Sequence, residues 1–182
     1  MTDLRIRRTK ANIQRAFIQL VNQVGFKHVT VKSIADTALI NRQTFYKHYE
    51  DKYQLADEMI DDFVAIYDQE LEKRLVLKAQ NVSFEESFGI LFPEVQQLVA
   101  HRFDTLNALL TIQTDQPSLE KKLQQVMIQH FNQFLPEEMT AFEKVIISSL
   151  LVNLFDYFVT HKQLPELADV KKTLTDFLLL LK

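Results

Sequence analysis

The stretch VTVKSIADTALINRQTFYKHYEDKYQL, Val29–Leu55, decides how the rest of the chain is read. From Ile40 to Leu55 it holds three tyrosines, a phenylalanine and four side chains that are cationic or can become so. Core segments do not carry that much polarity, and plain solvent-facing segments do not carry that many aromatics. Thr30 is placed to cap a short helix with an apolar face of Ile34, Ala35 and Ala38. Asn41 can cap the next helix, RQTFYKHY, in which Phe45 and Tyr49 share a face four residues apart. Asp51 can cap a third, starting at Lys52, whose stripe of Leu55, Met59, Phe63 and Ile66 carries it to about Lys78. Between the first two helices, where a helix end favours glycine, the sequence has Leu39.

Upstream, Ile13, Ala16, Phe17, Leu20, Val21 and Val24 recur at helical spacing, and Gly25 stands where a left-handed residue ends the helix. Short helices within about fifty residues, followed by a long one, predict a compact head on a stalk. Downstream the pattern stays helical, with segments expected at Ser83–Val99, Arg102–Thr114, Ser118–Leu135, Glu137–His161 and Glu166–Leu181. Two glycines and four prolines in 182 residues disfavour a many-stranded sandwich or barrel. Pro93 starts or kinks a helix on this reading, and Pro117, Pro136 and Pro165 fall at helix starts or between segments. There is no internal repeat and no strand pattern. The expectation is an all-α chain whose N-terminal three-helix head, residues 1–52, is joined by a long helix to a C-terminal helical domain, residues 53–182.

Hydrophobic residues make up 47% of the chain, enough for a self-sufficient core. The absence of cysteine excludes disulfides and thiolate metal sites and fits a reducing cytosol. MTDLRIRRTK is basic but lacks the apolar run of a signal peptide. The strongest apolar tract, VIISSLLVNLFDYFV (Val145–Val159), is interrupted by polar residues and too short to span a bilayer. A cytoplasmic protein with no membrane partner is expected. The net charge of −3 hides a split: ten Lys/Arg against four Asp/Glu up to Ala56 gives +6, and eleven against twenty beyond gives −9. A basic head on an acidic body points to a polyanion partner for the head alone.

With Phe45 and Tyr49 turned inward, Arg42, Gln43, Tyr46 and Lys47 project outward. Arg and Gln make paired hydrogen bonds to guanine and adenine edges, and Lys reaches a base or a phosphate. Thr44, Tyr46 and His48 offer neutral donors for phosphate oxygens, and Thr30, Lys32 and Lys52 lie in the first turns of the flanking helices or at their caps. This is the logic of a helix-turn-helix whose second helix enters the major groove of a duplex. From periodicity alone, an exposed amphipathic helix with ordinary surface charge fits equally well. The basic arm of Arg5, Arg7, Arg8 and Lys10 likewise reads either as a backbone or minor-groove contact or as a solvated helix start.

Val29–Leu55 resembles the DNA-binding signature of the TetR/AcrR family of bacterial transcriptional regulators. The resemblance is carried by Thr30 and Val31, Ile34 and Ala35, Tyr46, Tyr49, Lys52 and Leu55 at the family's spacing, over roughly the first third of the chain. NRQTFYKHYEDKY particularly resembles a subgroup that includes regulators of dihydroxyacetone metabolism. The resemblance implies a regulator, a repressor by preference, that binds a partly palindromic double-stranded DNA operator as a homodimer. It implies an effector that is a small molecule or a partner protein, and no cofactor and no enzymatic activity are expected. The family usually has glycine at the place of Leu39. Either the turn differs in conformation, or packing of Leu39 offsets the roughly 1 kcal/mol cost of a left-handed non-glycine residue. Tyr49 stands where phenylalanine is commoner, and its hydroxyl needs water or a partner.

For the C-terminal domain the resemblance implies dimerisation and an effector pocket. Ile146, Ser149, Leu150, Asn153 and Tyr157 align along one helix face, and Leu174, Phe177, Leu178 and Leu181 can complete a four-helix interface. Phe88, Phe92, Phe103 and Phe131, with Phe84 and Phe134, are candidates for an aromatic pocket, though such rings also serve as ordinary core. Enzymatic chemistry finds no support in motifs: the five histidines form no HExxH pair, and there is no nucleophile elbow or phosphate loop. The remaining alternative is an all-helical protein-protein interaction module whose aromatic-basic segment meets an acidic partner without sequence-specific DNA binding.

Overall fold

The computed structural model describes residues 2–79, 101–134, 140–163 and 165–180, and no strand occurs among them. The helices are α1 (Thr2–Val24), α2 (Val31–Thr37), α3 (Arg42–Tyr46), α4 (Lys52–Ala79), α5 (Phe103–Leu110), α6 (Leu119–Phe134), α7 (Ala141–His161) and α8 (Leu167–Leu180), with a 3-10 turn at Phe26–His28. The all-α expectation holds. The expected segment Ser83–Val99 lies outside the described residues.

In the head, α1 packs on the 3-10 turn and on α2, and α2 packs on α3. Ile13, Phe17, Ile34, Phe45 and Leu55 are wholly removed from solvent, with Val21, Val29 and Tyr49 nearly so. Gly25 ends α1 with a positive φ of 78, as foreseen, but its ψ of 148 places it outside the left-handed helical region expected there. The stripe expected on α1 needs one correction: Val24 is half exposed, and Ile18 is buried instead. The reason is that α1 is covered from two sides, by the head and by α5. Because α1 begins at Thr2, the basic arm is part of a helix, with Arg5, Arg7 and Arg8 exposed on its first turns.

The body is organised around the eight-residue helix α5, which touches α1, α4, α6 and α7. Leu106, Ala108 and Leu109 on it are fully buried and belong to one cluster that runs without interruption into the head. Asn22 reinforces the contact, donating to the Asp104 carbonyl at 2.9 Å and accepting from Asn107 at 2.8 Å. On α6, Leu119, Leu123, Met127 and His130 are buried on one face, and α6 packs on α4. The ion pair Lys122–Asp61 and the hydrogen bond between His130 and Asp68 link the same two helices. Expected for Glu137–His161, α7 begins instead at Ala141. Thr140 caps it, accepting from the Glu143 amide, while the Glu143 carboxylate accepts from the Thr140 amide. That carboxylate is held below its usual range by the backbone hydrogen bond.

Leu106 lies on α5, the helix that touches α1, α4, α6 and α7, and is fully buried in the continuous core cluster. Leu106→Ala is expected to lower unfolding stability by about 2–5 kcal/mol, read as a lower denaturant midpoint. A loss below about 1 kcal/mol would mean that α5 is not the hub of the fold.

Candidate nucleic-acid interface

Three caps set the backbone of the reading unit. Thr30 accepts from the Ser33 amide and Ser33 returns the bond to the Thr30 amide, both at 3.0 Å, which starts α2. Asn41 accepts from the Thr44 amide at 2.7 Å and the Thr44 hydroxyl at 3.0 Å, which starts α3. Asp51 accepts from the amides of Tyr53 and Gln54, both at 2.8 Å, which starts α4. All three caps stand where the sequence placed them.

Between α2 and α3 the chain turns at Leu39 with φ 56. The Ile40 amide donates to the Ala35 carbonyl at 3.0 Å, and the Leu39 amide to the Asp36 carbonyl at 3.3 Å. That pair of bonds is a Schellman motif, with Leu39 in the seat usually given to glycine. Neither resolution foreseen for Leu39 holds. The left-handed conformation is kept, and the side chain, 91% exposed, packs on nothing that offsets it. The strain is held by the two hydrogen bonds and by Ile40, which packs against the core.

Phe45 and Tyr49 anchor α3, fully and almost fully buried, with ring centroids 5.7 Å apart. The Tyr49 hydroxyl donates to Glu58 on α4 at 3.3 Å, and Lys10 of α1 donates to the same carboxylate at 2.8 Å. Burial first, and then the Glu58 carboxylate, push the Tyr49 phenol well above its ordinary value. Thus the hydroxyl that needed a partner ties three helices together.

On the opposite side Arg42, Gln43, Tyr46 and Lys47 are all exposed, as are Thr30 and Lys32 at the start of α2. Tyr46 stands edge-on against Phe45, which orients its ring while leaving it 58% exposed. Thr44 and His48 are half-buried. Lys52 is placed otherwise than expected. Its ammonium donates to the carbonyls of Phe26 and Val29 at 2.9 Å and of Lys27 at 3.3 Å, and lies 4.6 Å from the Phe26 ring centre. An ammonium has three hydrogens, and here each has an acceptor. Desolvation lowers its pKa, and it clamps the 3-10 turn to the first turn of α4.

On α7, Phe142, Val145, Ile146, Asn153 and Tyr157 are exposed and Ser149 is half-buried. Phe142 and Val145, not singled out in the sequence, extend the expected stripe by one turn at the same spacing. The side chains of Leu150, Leu174, Phe177, Leu178 and Leu181 lie outside the description. So do Phe84, Phe88 and Phe92 and the side chains of Phe131 and Phe134. Phe103 packs edge-on against buried Phe158, centroids 5.7 Å apart, a core placement. Among the described residues a crevice of about 670 Å³ lies elsewhere, where α1, α4 and α5 meet. Ile18, Met59 and Phe63 help to line it, as do Arg15 and Arg102. No group of three or more potential metal-ligating residues occurs among the described residues.

Residues 13–59 match the profile of bacterial regulatory proteins of the tetR family. This segment carries the N-terminal domain of that family. It is 32% identical over 53 residues to YxbF, an uncharacterized HTH-type transcriptional regulator of Bacillus subtilis (strain 168). That match covers 29% of this chain and 14% of the relative's length. A TetR transcriptional regulator from Streptococcus agalactiae 2603V has the same fold, with a TM-score of 0.62 at 23% identity over 94% of both chains. Thermus thermophilus FadR, a TetR-family repressor in complex with lauroyl-CoA, is a weaker likeness, with a TM-score of 0.44 at 20% identity over 82% of this chain and 81% of that one.

The raised Tyr49 phenol has a signed consequence. The folded state holds its proton more tightly than the unfolded state, whose value is about 10. Stability present below that pH is lost as pH rises toward the folded value. Unfolding midpoints between pH 9 and 11 are expected to fall more steeply for the native chain than for Tyr49→Phe. Parallel curves would show that the phenol is not held as described.

Proposed function

We propose that the chain is a TetR-type transcriptional regulator, acting as a repressor, that binds a partly palindromic DNA operator as a homodimer in the cytoplasm. The observation that carries this reading is the face of α3. Two buried rings fix the helix, and Arg42, Gln43, Tyr46 and Lys47 stand exposed on a head of net charge +6. Arg42 and Gln43 take the base edges, Lys47 and Lys32 the phosphates, and Thr30, Thr44, Tyr46 and His48 the neutral phosphate contacts. Lys52 enters as a positioning residue, since its ammonium is already occupied.

The head at residues 1–52 and the body at 53–182 are the working division. The exposed stripe on α7, from Phe142 to Tyr157, supports a two-fold interface, which is what places two α3 helices about 34–36 Å apart on successive major-groove turns. An effector, small molecule or partner protein, would act on the body and change the separation of the heads through α4. No helix among the described residues is long and apolar enough to cross a membrane. The reading is one of a regulator and not an enzyme.

Selection of duplex fragments by the full chain tests the proposal, with enrichment of a partly palindromic site expected. No enrichment would favour an acidic protein partner for the head. On the selected site, Arg42→Ala and Gln43→Ala are expected to relax discrimination at particular base pairs by about 1–3 kcal/mol. Lys47→Ala should weaken all sequences and reduce the salt slope by about one unit. Lys52→Met should weaken all sequences while leaving that slope unchanged, and a flattened slope would return Lys52 to the phosphate contacts. Val145→Glu is expected to shift the chain from dimer to monomer in sedimentation, and an unchanged dimer would move the interface off α7.

A further inference from the structure

Leu39 is the most exposed of the large apolar side chains among the described residues, at 91%, and it sits at φ 56. Lys162 also has a positive φ without being glycine, but it closes α7 and its ammonium lies 5.6 Å from the Phe103 ring centre. Leu39 has no such contact. Glycine there would avoid the strain, and asparagine would reduce it. A leucine adds to the strain an apolar surface left in water. Residues held this way cluster where the chain meets something outside itself.

The position indicates what that is. Leu39 lies two residues before the Asn41 cap and three before Arg42, so its Cα is within about 11 Å of the first base-reading residue. Ile40 is fixed in the core, which holds the turn in place while Leu39 points outward. The surface that continues from it is the exposed start of α3, Arg42 and Gln43. Across a major groove, the apolar feature of the base edges is the 5-methyl group of thymine.

We propose that Leu39 is a specificity-determining residue that covers a thymine methyl group at the outer edge of each half-site. This rests on the DNA-binding reading above and adds to it one base-pair preference that Arg42 and Gln43 do not supply. The strained leucine is then favoured over glycine because the contact exists only in the complex.

The test uses the full chain and the duplex it selects, resynthesised with deoxyuridine in place of each thymine in turn. Uracil keeps every hydrogen-bonding group and lacks only the methyl. One thymine in each half-site is expected to show a roughly fourfold loss of affinity on replacement, the equivalent of about 0.8 kcal/mol for one buried methyl. Leu39→Gly should bind the unmodified duplex more weakly by a similar factor and be indifferent to that replacement. Its Tm should be unchanged or up to about 2–4 °C higher, which establishes that the variant is folded. A bound duplex with no methyl-sensitive thymine, or one whose sensitivity persists in Leu39→Gly, overturns the role of Leu39 alone. If no duplex is selected, the DNA-binding reading falls and this inference falls with it.

Discussion

A five-residue helix cannot hold itself in water, because its few internal hydrogen bonds do not repay the cost of starting it. α3 exists because Phe45 and Tyr49 are buried and because the Tyr49 hydroxyl reaches Glu58 on α4, where Lys10 of α1 also arrives. That anchoring decides what the helix shows to the outside. Once positions 45 and 49 face the core, positions 42, 43, 46 and 47 face out at helical spacing. The chemistry of the exposed face thus follows from two rings and one carboxylate, none of which needs to touch a partner.

Formal charge and available charge differ in this head. Ten cationic side chains up to Ala56 give the asymmetry that points to a polyanion. Lys10 on Glu58 and Lys52 on three carbonyls around the 3-10 turn are among those already engaged. Those carbonyls lie 23 to 26 residues before Lys52. No local pattern reveals that a lysine at a helix start will turn toward them and not toward solvent. The exposed cations that remain, among them Lys32, Arg42 and Lys47, are the ones that a phosphate backbone would meet.

What was legible in the sequence was local. The caps at Thr30, Asn41 and Asp51 are contacts within three residues, and the inward pair Phe45 and Tyr49 is one helical period. The start of α7 is equally local, since Thr140 and Glu143 have capping-box spacing, although the expected bound was Glu137. The exchange of Val24 for Ile18 in the core was not legible, because it depends on α5 about eighty residues away. Leu39 falls between these cases. The departure from glycine was visible, and the retained φ with an exposed side chain was not, because hydrogen bonds from Ile40 and Leu39 sustain the turn without help from the side chain.

The 28-residue helix α4 carries both sets of contacts, and that is the mechanical argument for coupling. Its first turns hold Lys52, Leu55 and Glu58, which lock the reading unit in place. Further along, Asp61 and Asp68 pair with Lys122 and His130 of α6. Burial raises the carboxyls of Asp57 and Asp62 above their usual range, Lys122 opposing the shift at Asp57 and Lys10 at Asp62. A straight helix of that length spans about 42 Å, so a tilt of about 5° at the body end moves the other end by roughly 4 Å. In the proposed dimer, with half-sites about 34–36 Å apart, such a displacement would take one head out of register. In that scheme the Lys52 clamp would carry the displacement to the 3-10 turn, since its ammonium ties the first turn of α4 to the carbonyls of Phe26, Lys27 and Val29.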